Sequence, residues 1–410
     1  MSAALWPSRW PAEDGGPRRL ETPLDGAALG LGSGRLSVVS RLSMVSTMVV
    51  LREPGEVYLL CHTGGDAAVS WLEQIDPVTL ETIRRSPDLA GGPTWPGGVA
   101  AHANGSLYVV FGRHAHRLSA SLEVLASREL PRQRSYNSFV VLPDGCLAMK
   151  DFPRGEMTPS ELLVLEPDGL RVVARLELPE PSIARLSADG ADIYVVGDES
   201  LIRVWWTGEM LVLDDAFVAR YRTLDGQTYG WDAVIAGGAA WFLDNGLGAD
   251  GYVGHFRGVG VSSSPLHLVR VDLATGAVQL AEVCGLPNGL IANPPAVDVE
   301  RGVAVGYDSG NGVVTAFRID ATGIRDALWT RELNHAAHPV LFPATGELVL
   351  CDTDIARNAE QVVVLDIVTG SELGRADTGS PVQSVVFNAP GFDHDLYCCS
   401  FTTVSRVSVT

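Results

Sequence analysis

The sequence predicts an all-β fold: a β-propeller of eight four-stranded blades, its ring closed by an N-terminal strand. Three observations carry this. Short runs of β-branched and aromatic residues alternate with glycine turns along nearly the whole chain, the pattern of antiparallel hairpins. One turn glycine recurs per unit, at Gly55, Gly105, Gly145, Gly190, Gly238, Gly302, Gly346 and Gly391, at intervals of 40 to 64 residues. The composition agrees, with 44 Gly and 24 Pro among 410 residues, 46% hydrophobic content and few helix-period patterns. Four short strands repeated at this spacing bury both faces of each unit against its neighbours, which is how a propeller builds its core.

Taken in order, residues 1–33 mix Gly, Pro and Arg without a sustained period. They are expected to form an irregular arm, wrapped on the surface or partly disordered, ahead of one propeller domain spanning 34–410. Leu36–Leu42 alternates as a strand. The last unit has only Val404 to Val409 after its hairpin, so this N-terminal strand would complete it and remove a free edge. Between these ends, apolar runs flank each turn glycine, such as Ser138-Phe-Val-Val-Leu142 before Gly145 and Glu347-Leu-Val-Leu-Cys351 after Gly346. Third strands close on Asp272-Leu-Ala-Thr-Gly276, on Asp366-Ile-Val-Thr-Gly370 and, without the Gly, on Asp76-Pro-Val-Thr79. The clearest unit runs from Asn293 to Gly323, three strands joined by turns at Glu300-Arg-Gly302 and Ser309-Gly-Asn-Gly312.

A net charge of −19 argues against nucleic-acid and anionic-membrane partners. No apolar run reaches the ~18–20 residues of a membrane span. Pro and Trp stand where a signal peptide would carry its apolar region, so a cytoplasmic location is expected. The six cysteines show no metal-binding spacing. Cys61, Cys351, Cys398 and Cys399 lie in apolar strand patterns and read as buried free thiols.

Pro295-Ala-Val-Asp298, then Ala316-Phe-Arg-Ile-Asp-Ala-Thr-Gly323 and Leu328-Trp329, resemble the repeat of quinoprotein-like eight-bladed propellers. That resemblance implies the eight-bladed ring and raises an oxidoreductase carrying pyrroloquinoline quinone as one function. The chain's vicinal cysteines, Cys398-Cys399, fall in a strand pattern rather than in a face loop, where that cofactor's pair would sit. A shorter match, Leu286-Pro-Asn-Gly-Leu290, resembles the Pro-Asn-Gly metal loop of the gluconolactonase and senescence-marker family. It implies Asn288 as a metal ligand, although Asn-Gly is also a common turn.

Counting from the turn glycines locates residues at the face where first strands begin and second strands end. The inner ring includes Asn137, His338 and Gln383. His338 would move a proton at a central cavity, since imidazole titrates near neutrality. Asn137 and Gln383 would bind substrate beside it. The second ring carries Asp151, Asp244, Asp308 and Asp352. Carboxylates converging there would bind Ca²⁺ or Mg²⁺, with Asp308, Asp244 and Asn288 as metal ligands and Asp244 and Asp352 assisting catalysis. The alternative is that each Asp accepts hydrogen bonds from its own turn. The longest departure from the repeat, residues 246–265, emerges on the same face. Its Tyr252, His255, Phe256 and Arg257 would cover a ligand as a lid. Lys150 beside Asp151, with Arg154 following, reads as a solvated surface pair.

These readings point to a small-molecule hydrolase or lyase at the central opening, with divalent-metal assistance. A non-catalytic scaffold gripping a protein or peptide is the alternative, and the quinone-dependent oxidoreductase the second.

Overall fold

The computed structural model of the chain describes residues 4–43, 45–94, 96–153, 155 and 157–410, with the backbone alone described at Asn137. Eight antiparallel sheets follow one another along the sequence, each ordered so that its first strand lies innermost. The innermost strands are Ser46–Leu51, Gly98–Ala101, Tyr136–Val141, Ser187–Asp189, Val234–Ala236, Ala296–Asp298, Val340–Phe342 and Asn388–Pro390. We number the blades 1 to 8 in that order. Blades 1 and 4 each add a short fifth strand, Leu89–Gly92 and Ala219–Arg220.

All eight predicted glycines sit between first and second strands. Burial falls outward along each blade. In blade 1, Ser46–Leu51 and Val57–His62 are buried throughout, whereas the outermost strand Thr82–Arg85 is exposed throughout. Inner strands touch neighbouring blades on both faces, so they read as continuous apolar runs rather than alternating ones.

The ring closes as the sequence predicts. Leu36–Leu42 pairs antiparallel with Thr403–Val409, from Leu36 opposite Val409 to Leu42 opposite Thr403. The Asp-x-x-Thr-Gly turns have a local cause. Asp366 Oδ1 accepts from the Val368 and Thr369 amides at 3.0 and 2.8 Å and from Thr369 Oγ1 at 2.9 Å. Gly370 then turns the chain at φ +69°, and a Cβ there would lie 2.6 Å from Trp329 of blade 6. The Trp329 indole donates to the Ile367 carbonyl at 2.9 Å, so that turn also docks adjacent blades.

The N-terminal arm is not wrapped on the surface. Trp10, Glu13, Asp14, Arg19 and Glu21 are all buried. The Trp10, Pro11, Pro17, Arg18 and Glu21 carbonyls accept from Leu51, Ala101, Ala188, Ile235 and Leu341, at 2.7–2.9 Å. Those donors belong to the innermost strands of blades 1, 2, 4, 5 and 7. Innermost strands present unpaired amides to the central channel, and the arm satisfies them by crossing it. Sequence periodicity misses this because the arm pairs through scattered single carbonyls, with no strand of its own.

All six cysteines are free. Among the described residues, no helix is long and apolar enough to cross a membrane.

Candidate functional site

The arm enters from the hairpin-turn side, leaving a pocket of about 150 Å³ at the opposite, strand-start side of the channel. Its walls come from segments that lead into inner strands: Arg185, Trp231, Asn293, His338 and Phe387. Its roof is the long loop of blade 5, through Ala249, Asp250, Tyr252 and Phe256. Trp231, Ala249 and Asp250 also line a neighbouring cleft of about 400 Å³ that runs over Phe152, Asp198 and Tyr229. Four residues of the 246–265 loop thus line the pocket at the central opening.

Gln383 fixes that roof. Its Oε1 accepts from the Phe256 amide at 2.7 Å, its amide donates to the Gly254 carbonyl at 2.7 Å, and its carbonyl accepts from Tyr252 Oη at 2.6 Å. Its Nε2 donates to the Asn334 carbonyl at 2.7 Å. Tyr252 stacks edge-on against Phe256 and Phe401 with centroids 5.0 and 5.7 Å apart. Arg257 is exposed and reaches Asn334 Oδ1 at 3.2 Å, and His255 is half-buried outside the pocket lining.

Below the pocket lies a charged layer where arm and blades meet. Arg19 donates to Asp14 Oδ2 at 2.7 Å, to Glu13 Oε1, to Ser138 Oγ at 2.7 Å and to the Leu186 carbonyl at 2.6 Å. Arg185 donates to Glu13 Oε2 at 2.7 Å, accepts Phe387 beneath its guanidinium at 4.6 Å, and donates its backbone amide to Asp232 Oδ1 at 2.6 Å. His338 is stacked on Phe387 at 3.8 Å, and its Nδ1 lies 2.9 Å from Asp14 Oδ1 and 3.9 Å from Glu21 Oε1. The 2.9 Å contact lacks hydrogen-bond geometry: Asp14 Oδ1, His338 Nδ1 and both Glu21 oxygens are buried without a hydrogen-bond partner.

Burial alone would raise the Asp14 carboxyl, but His338 and Arg19 outweigh it and hold it at about 2. Burial, reinforced by Asp14, pushes the Glu21 carboxyl well above its usual range. Burial raises Asp232 as well, against the pull of Arg19 and Arg185. The buried His335 is driven the other way, to about 3, and its Nδ1 accepts from the Cys351 amide at 3.0 Å. His335 is thus a core histidine and not a partner of His338.

The Asp ring stays local. Asp244 Oδ1 accepts from the His267 amide at 2.6 Å, and its Oδ2 meets His267 Nδ1 at 2.8 Å and Gln227 Nε2 at 2.7 Å. Asp308 accepts from the Leu290 and Asn311 amides at 3.1 and 3.0 Å and from Asn311 Nδ2 at 2.8 Å. Asp352 accepts from the Asn334 amide at 2.8 Å and from Arg375 at 2.6 Å. Each carboxylate fastens the connection beside its own strand end, and none lines the central pocket. Asp244 and Asp352 therefore do not join His338, and Asp244 and Asp308 belong to no metal-type cluster among the described residues. Asn288 is an exposed turn residue at φ +60°. Its left-handed conformation explains the Asn-Gly signal without a ligand.

Lys150 is not solvated. Its ammonium is buried and donates to the Ser182 carbonyl at 2.6 Å, and burial lowers its pKa to about 7. The side chain of Asn137 and the whole of Arg154 lie outside the described residues. Sequence reasoning missed Glu13, Asp14, Arg19 and Glu21. The available signal was five charges packed into the Gly-Pro-rich stretch Glu13-Asp-Gly-Gly-Pro-Arg-Arg-Leu-Glu21, too polar to be buried unless paired. It also missed Arg185 and Asp232, because short hairpins in blades 4 and 5 shift the count by two or three residues.

No family model and no curated protein matches the sequence. Among solved structures, quinohemoprotein alcohol dehydrogenase ADHIIG from Pseudomonas putida HK5 superposes with a TM-score of 0.66 at 10% identity, over 98% of this chain and 80% of that one. The quinohemoprotein alcohol dehydrogenase of Comamonas testosteroni gives 0.64 at 10% identity, over the same shares. BamB from Moraxella catarrhalis gives 0.58 at 12% identity, over 90% of this chain and 100% of that one. The fold is therefore that of the quinoprotein-like eight-bladed propellers, as the repeat resemblance implies. Pyrroloquinoline quinone does not fit the described central pocket. At about 150 Å³ that pocket falls below the ~300 Å³ from which cofactor-sized sites begin.

Proposed function

We propose that the protein is a small-molecule enzyme of the hydrolase or lyase class, working at the central opening of the propeller. One observation carries this reading: a partly open pocket under an aromatic roof with an imidazole in its wall, His338, whose Nδ1 lies 2.9 Å from the carboxylate of Asp14. Hydrolysis and elimination both need a proton moved at the reacting centre, and an imidazole in the pocket wall is the group that would move it. With Nδ1 buried 2.9 Å from Asp14 Oδ1, Nε2 is the nitrogen left to face a ligand. Arg185 and Asn293 add polar contacts to an otherwise apolar wall, so the favoured substrate is small and partly apolar.

The test is turnover of ester, lactone and elimination substrates by the purified protein and by His338→Ala. Loss of a general acid–base group costs about 10²- to 10⁴-fold in turnover, with the thermal midpoint checked to show that the fold survives. No turnover on any of these substrates, or turnover unchanged in the variant, would overturn the reading. A second reading, a scaffold for a protein partner, is favoured by exposed Leu247, Val253 and Val261 on the roofing loop. Ligand binding that survives His338→Ala but fails after Val253→Glu would support it.

A further inference from the structure

We infer that Asp14, Glu21 and His338 form a binding site for a divalent transition-metal cation, of the Zn²⁺ or Mn²⁺ class. One ligand atom from each residue lies within 4.8 Å of the others, and all three residues are at most 1% exposed. A cluster alone would not suffice. What points to a ligand is the state of its atoms: both Glu21 oxygens, Asp14 Oδ1 and His338 Nδ1 are buried without hydrogen bonds. Each such orphan is a desolvated polar group left unpaired, at a cost that grows when it is charged, so four converging on one place call for a common partner.

The charge balance says what kind. Among the described residues, Glu13, Asp14, Glu21 and Asp232 face two guanidiniums in this layer, Arg19 and Arg185. The nearest amine, Lys150, is committed to the Ser182 carbonyl. Two carboxylates in excess, away from water, match one divalent cation. The donor set narrows it further. An imidazole nitrogen with two carboxylates suits Zn²⁺ or Mn²⁺ better than the all-oxygen shells of Ca²⁺ and Mg²⁺. Three protein ligands also leave a coordination position for water or a bound molecule, the form of a catalytic site rather than a closed structural one. The arm supplies two ligands from strained backbone, with Asp14 at φ +52° and Glu21 at φ +57°, and blade 7 supplies the third. A cation here would fasten the arm to the ring. With Nδ1 taken by the metal, Nε2 carries the proton, and His338 faces the pocket as a donor. That last consequence rests on the catalytic reading of the pocket; binding itself does not.

The experiment uses the full chain, stripped with chelator and titrated with Zn²⁺, Mn²⁺, Co²⁺, Ca²⁺ and Mg²⁺ by calorimetry, with Co²⁺ also followed by its visible absorption. Expected are one equivalent of Zn²⁺ or Mn²⁺, a raised thermal midpoint and a Co²⁺ band. Glu21→Gln, which keeps the shape of the side chain, should weaken binding by about 10- to 100-fold or more, and His338→Gln should do the same and alter the Co²⁺ band. Absence of binding by the stripped wild type would overturn the site in favour of protonated carboxyls. Equal affinity in both variants would place the cation elsewhere, and preference for Ca²⁺ or Mg²⁺ would overturn the metal class. Because no substrate is involved, a metal-binding but inactive protein would overturn the enzyme reading and leave the site standing.

Discussion

Gln383 joins three segments that the chain keeps far apart: the roof loop, the Asn334 segment and the entry to blade 8. Replacing it with Ala leaves the Phe256 amide and the Asn334 carbonyl without their partners. Each loss costs about 1–3 kcal/mol where the group stays buried. We expect amide exchange across Tyr252 to Arg257 to accelerate in Gln383→Ala, measured by mass spectrometry, with a smaller drop in global stability. Unchanged exchange there would mean that Tyr252 and Phe401 hold the loop alone. Glu360 is a second residue with a readable consequence. Burial raises its carboxyl to about 8, against hydrogen bonds from Thr353 and the Ser384 backbone and with Asp352 adding repulsion. Cys351, Cys398 and Tyr252 also face it. The native state keeps this proton while the unfolded chain releases it near pH 4.5. Its stabilisation is therefore complete below about 4.5 and is lost as pH rises through about 8. Urea unfolding at pH 5 and pH 8 should show a larger difference for the wild type than for Glu360→Gln, and equal differences would sink the assignment.

At the scale of elements, the arm is the part that departs from the repeat logic. It lends single carbonyls to five innermost strands and buries Trp10 in the core cluster shared by blades 1, 2 and 8. A large side chain removed from such a place costs about 3–5 kcal/mol through lost contacts and an unfilled cavity. Trp10→Ala should lower the thermal midpoint accordingly, whereas a surface arm would show a change within about 0.5 kcal/mol. Strand Leu36–Leu42, which follows directly, closes blade 8, so one stretch of chain both plugs the channel and seals the ring.

For the molecule as a whole, the sequence determined the architecture. Eight turn glycines, the Asp-x-x-Thr-Gly turns, and Leu36–Leu42 as the closing strand all act through neighbours a few residues away or through a regular repeat, so their pattern is visible without coordinates. It also marked 246–265 as a covering loop, because that stretch breaks the repeat, and it placed His338 at the channel. It did not reveal the layer beneath the pocket. Asp14 and Glu21 meet His338 across more than 300 residues, and nothing local distinguishes them from other charges in a Gly-Pro-rich arm. The Asp ring shows the converse: carboxylates repeated at matching strand ends look convergent in sequence, yet in space each is taken by the backbone amides and side chains around it. Repetition and turn chemistry are short-range and can be read along the chain. Which charges share one buried volume is decided only when the ring closes around the arm.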